Sequence, residues 1–185
     1  MRIGVRGRLR VYRTDLNRLF IGEPVVDTHN LVMDDGLSAL AVLLGGGFGN
    51  PTLVGNALPI VGGNASAALS GASLSTMLVG TRSPAPTPVP GDGASGEIPS
   101  ANVPAVGRFT VVGSTLAVSY PDAFTVTFTG TIAAGAYDAP AAAITEEMLL
   151  TGMGTVFSRV ALPTPVNTLP AQGLSFVHDV IFSRV

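Results

Sequence analysis

Residues 123–132 read AFTVTFTGTI, and their alternation sets the fold class. Phe124, Val126 and Phe128 fall on one side of an extended chain, with Thr125, Thr127 and Thr129 on the other. A period of two over this length belongs to a half-buried β-strand. The same kind of pattern recurs on either side. RFTVVG (108–113) and STLAVSY (114–120) precede it. TVFSRVAL (155–162) and LSFVHDVIFSRV (174–185) follow, separated by turn-rich GAYDAP (135–140) and PTPVNTLPAQG (163–173). In the terminal segment Leu174, Phe176, His178, Val180 and Phe182 share the more apolar face. Short strands at this spacing, bounded by turn residues, predict a mainly β chain: a jelly-roll-like antiparallel β-sandwich with one short helix and long Pro/Gly-rich loops.

The first thirty residues extend the pattern. RLRVYRTDL (8–16) places Leu9 and Val11 opposite Arg8, Arg10 and Tyr12, and RLFIGEPVVDTH (18–29) follows a turn at Asp15–Asn17, giving a hairpin over 1–30. Six of the ten arginines, Arg2, Arg6, Arg8, Arg10, Arg13 and Arg18, lie here, with Asp15 the one acid among them. The expectation is an edge strand blunted by charge, and these six arginines are the candidate subunit contacts. DDGLSALAVLLGGG supplies the helix, over 34–45. Asp34 or Asp35 caps it, and Leu37, Leu40, Ala41 and Leu44 form its apolar stripe before Gly45–Gly47 end it. STMLVGT (75–81) reads as a short strand, and the Pro-rich stretch 82–107 as an extended loop or arm. All of this fits one domain over 1–185.

Composition narrows the function. Charged residues make up 12% of the chain, against a usual share of about 25%, while hydrophobic residues make up 46%. A chain so short of charge is expected to cover its surface against other subunits. There is no Cys and no Lys, which removes thiolate metal sites, Cys nucleophiles, Schiff bases and the P-loop lysine. A net charge of −2 gives no overall attraction to nucleic acid. No run of about 18 apolar residues marks a membrane span.

No catalytic, cofactor or metal site is expected. Of the two histidines, His178 is adjacent to Asp179, but neighbours on a strand point to opposite faces, so His178 reads as a hydrogen-bonded interior or interface residue. His29 reads as a strand-end residue before Asn30. The paired acids Glu146 and Glu147 read as the first turn of a short helical segment capped by Thr145, anchored by Met148, Leu149 and Leu150 and stopped by Gly152. The glycine-rich GVRGR (4–8) and GGGFGN (45–50) neither follow a strand nor open a helix, as phosphate loops must.

Three segments in order carry a resemblance: HNLVMDDGLSALAVLL (29–44), STMLVGTRSPAPTPVPGD (75–92) and ITEEMLLTGMGTVFSRVALP (144–163). The chain resembles small virion accessory proteins of tailed bacteriophages and modules near the attachment ends of phage tail fibres. Ile144, Thr145, Glu146, Leu149, Phe157, Arg159 and Leu162–Pro163 follow that family's order, which covers about half of the chain. Glu147–Met148 replaces its usual small pair, no Lys stands in the following turn, and His178 takes the place of a frequent aromatic. The resemblance implies a virion structural protein: a capsid decoration, neck or tail accessory component. Its partners would be copies of itself and other virion proteins (major capsid, portal, neck or tail), with neither nucleic acid nor membrane. The competing expectation is a glycan- or receptor-binding β-sandwich associated with a tail fibre. Against it stand the absence of Trp and a supply of three tyrosines, Tyr12, Tyr120 and Tyr137.

Overall fold

The computed structural model describes residues 3–32, 74–80, 109–112, 116–135, 143–151 and 156–184. The helix expected over 34–45, the arm over 82–107 and Arg2 lie outside the described residues. Among the described residues all regular structure is β-strand. The strands are β1 (Ile3–Thr14), β2 (Phe20–Val32), β3 (Leu74–Gly80), β4 (Phe109–Val112), β5 (Leu116–Asp122), β6 (Thr125–Ile132), β7 (Ile144–Thr151), β8 (Val156–Val166) and β9 (Gly173–Arg184).

They pair antiparallel in the order β4-β3-β7-β8-β2-β1-β9-β6-β5. β2 is the seam. Gly7 through Val11 of β1 pair with Asn30 back to Val26, whereas Leu31 and Val32 pair with Arg159 and Ser158 of β8. One half of the sheet is therefore β2-β1-β9-β6-β5 and the other is β8-β7-β3-β4. A single core takes side chains from both: Leu9, Val11, Phe128, Phe176 and Val180 from the first half, and Met77, Val79, Leu149, Phe157 and Val160 from the second. Strands at opposite ends of a sheet share a core only when the sheet folds back on itself.

The alternation read from the sequence places the side chains as expected in β1, β6 and β9. Phe128 is buried on the core side. Thr127, on the other face, gives its hydroxyl to Asp179 Oδ1 at 2.7 Å. Phe157 is an irregularity that serves packing. Leu149 pairs with Ser158 and Leu150 with Val156, so Phe157 is the extra residue of a bulge and turns into the core.

Three expectations are corrected. First, residues 145–150 are not a capped turn: they are the middle of β7, whose described side chains are all buried. Thr76–Gly80 on one side and Val156–Ala161 on the other hold their backbone in ladders, and this tertiary pairing overrides the local capping pattern. Second, β1 is no edge strand. It lies between β2 and β9, and the charges on its outer face are met there by Asp27 and Asp179. Third, β8 runs on through Pro163 and Pro165 to Val166, which pairs with Ile144, so the turn occupies only residues 167–172.

Candidate functional site

Two polar constellations stand out, one inside the fold and one on its outer face. The inner one begins with strand alternation. In β9, position 178 points to the core with Phe176 and Val180. In β7, position 147 points the same way as Leu149, and in β8 Ser158 pairs directly with Leu149. His178 Nδ1 lies 3.0 and 2.9 Å from the two carboxylate oxygens of Glu147, and His178 Nε2 lies 3.2 Å from Ser158 Oγ. All three residues are 0% exposed. With Glu147 ionised, Nδ1 carries the proton. Nε2 then accepts from the Ser158 hydroxyl or, in the imidazolium, donates to it.

This Ser–His–Glu chain has the spacing of a nucleophile, a base and its orienting acid. All three groups are buried among the described residues, in the core between the two halves of the sheet. What the chain can do is hold a proton between two buried groups and tie β9 to β7 and β8 across the core.

On the opposite face of β7, Arg159 donates from Nε and an Nη to Glu146 Oε2 at 3.1 and 2.9 Å. Glu146 is 0% and Arg159 2% exposed. Oε1 of Glu146 has no hydrogen-bond partner among the described residues and lies over Gly80, where a Cβ would come within 2.8 Å of it. The adjacent acids thus serve opposite faces of one strand, Glu146 paired with Arg159 and Glu147 with His178. The sequence reading placed His178 in the interior correctly and missed both partners. Glu147 and His178 are 31 residues apart, and only a strand reading of 144–151 would have aimed Glu147 at the core.

The outer constellation sits on β1, β2 and β9. Arg6, Arg8 and Arg10 share one face. Arg10 donates to Asp179 at 2.6 Å, and Arg8 grips Asp27 with Nε at 2.8 Å and Nη2 at 2.5 Å. The hydrogen bond from Arg8 holds the Asp27 carboxyl below its ordinary range, and the same contact raises the Arg8 guanidinium. Both side chains are about two-fifths exposed, so the pair is screened by solvent. An open groove of about 470 Å³ is lined by Arg6, Arg8, Asp27, His29 and Ile181. His29 belongs to this groove, inside β2, and is not the strand-end residue expected.

Of the other candidate contacts, Arg13 donates to the Asn167 carbonyl at 3.2 Å. Arg18 sits in the β1–β2 turn with φ of 64°, where Asp15 Oδ1 accepts from the amides of Asn17 and Leu19. Among the described residues no group of three His, Asp or Glu side chains is placed to hold a metal ion, and no helix is long and apolar enough to cross a membrane. Comparison with protein-family models, curated proteins and solved structures finds no match.

Proposed function

We propose that the chain is a structural component of a bacteriophage virion, a capsid decoration, neck or tail accessory protein. It acts by subunit packing as a jelly-roll-like β-sandwich and carries no reaction centre. The observation behind this reading is the distribution of apolar surface. At the β1–β2 turn Leu16 is 75%, Leu19 65% and Phe20 54% exposed, and at the β5–β6 turn Tyr120 is 73% and Phe124 59% exposed. The first group adjoins Thr14, which pairs with Gly173 at the start of β9, and the second adjoins Thr125, which pairs with Ile181 near its end. Apolar side chains gathered at two opposite ends of a charge-poor body suit contacts with neighbours on two sides.

Copies of the chain and other virion proteins are the partners of this reading, with the arginine-rich hairpin and the 82–107 segment as contact elements. The experiment is to supply the chain with a C-terminal tag during infection and purify particles through a density gradient. The expected result is a fixed copy number per particle, placed on head, neck or tail by electron microscopy. Particles that exclude the tagged chain while infection proceeds would overturn the reading.

A further inference from the structure

The outer face of β1 is a ladder of three arginines, and two of its rungs are filled. Arg10 is met by Asp179 from β9, and Arg8 by Asp27 from β2. Both pairs are diagonal, because Asp179 stands in register with Arg8 and Asp27 with Arg10; Arg6 stands in register with Ile181, which offers no charge. Arg6 is exposed and has no ion-pair or hydrogen-bond partner among the described residues. The groove opens at this rung, with Arg6, His29 and Ile181 on its walls beside the Arg8–Asp27 pair.

We propose that this groove is a carboxylate-binding site, in which an incoming carboxylate completes the ladder by pairing with Arg6 while a ring N–H of His29 adds a second donor. Three features favour a carboxylate. Of the three arginines on this face of β1, Arg8 and Arg10 have acid partners and Arg6 has none among the described residues. Arg8 already shows how a guanidinium on this strand takes a carboxylate with two donors, the fork geometry that suits Arg to such groups. The groove volume lies within the range of sites that take small molecules or side-chain clusters. Ile181 provides an apolar floor against which the methylenes of a glutamate or a polycarboxylate can rest. The site does not depend on the virion reading, since the groove belongs to the single chain.

The same carboxylate chemistry can come from a free polycarboxylate or from an acidic segment of a partner protein, and citrate and a hexaglutamate peptide stand for these two sources. Each is titrated into the full chain at low ionic strength, followed by calorimetry. Saturable one-to-one binding is expected, weakened about tenfold by Arg6→Gln, because one charge-assisted pair is lost. Arg18→Gln, the same charge change in the turn, should leave binding intact. Ile181→Asp supplies the missing carboxylate from within the chain and should abolish uptake of both probes. Tighter binding of the peptide assigns the site to a partner segment, and tighter binding of citrate to a small molecule. Absence of saturable binding by the unaltered chain, or equal weakening by Arg6→Gln and Arg18→Gln, would overturn the proposal.

Discussion

At the scale of single residues, the buried Glu147–His178 contact carries the clearest consequence. Removing one partner leaves the other ionisable group in a dry core, which typically destabilises by about 3–5 kcal/mol. His178→Phe is therefore expected to lower the unfolding free energy extrapolated from urea titration by that amount. Glu147→Leu combined with His178→Phe should lose less than the two single losses added together, because neither variant side chain leaves a charge behind. Additive losses would show that the pair is not coupled. The interior position of His178 was legible from its alternation with Phe176 and Val180. Its partners were not, because the Thr-Glu-Glu run carries a strong local capping signal and nothing local announces a buried strand. On the outer face, Asp27 titrates below the usual carboxylate range because Arg8 holds its ionised form. The stability this contributes is present above the unfolded carboxyl pKa of about 4 and is lost as pH falls through the lower folded value. Between pH 7 and pH 3, Asp27→Asn should consequently lose less stability than the unaltered chain. The difference is small because the pair is half in water.

At the scale of elements, close approaches between strands rank two glycines. Gly80 of β3 lies under Glu146 of β7, and a methyl there would meet Oε1 at 2.8 Å and Cγ at 2.9 Å. Arg159 restrains that carboxylate, so Gly80→Ala should destabilise by about 1–3 kcal/mol. Gly173, at the start of β9, faces the backbone carbonyl of Ile132, which is fixed in the β6–β9 ladder and cannot swing aside. Gly173→Ala should therefore be the more damaging of the two, and parallel urea titrations would rank them. The strands themselves were legible where alternation is clean, as in Thr125–Ile132 and Gly173–Arg184. The misreading of β1 as an edge has a physical cause. Arginines every second residue suit an exposed edge, yet they suit a central strand equally when its neighbours supply aspartates at the right register. Those aspartates lie in β2 and β9, and only the pairing brings them together.

At the scale of the whole molecule, the scarcity of charge takes a specific form. Charged side chains are used in pairs: Arg8 with Asp27, Arg10 with Asp179, Arg159 with Glu146, and His178 with Glu147. Apart from those pairs, apolar residues stand exposed at both ends of the body, Leu16, Leu19 and Phe20 at one and Tyr120 and Phe124 at the other. Composition made this legible in outline, but it could not say which residues would be on show. The central claim is that these ends are contact surfaces, and the most direct measurement is the mass of the purified full-length chain by sedimentation across a wide concentration range. The expected result is an oligomer that Leu19→Ser with Phe20→Ser dissociates toward monomer while the β-sheet circular dichroism is kept. A chain that is monomeric at every concentration, and whose mass the double variant leaves unchanged, would contradict it.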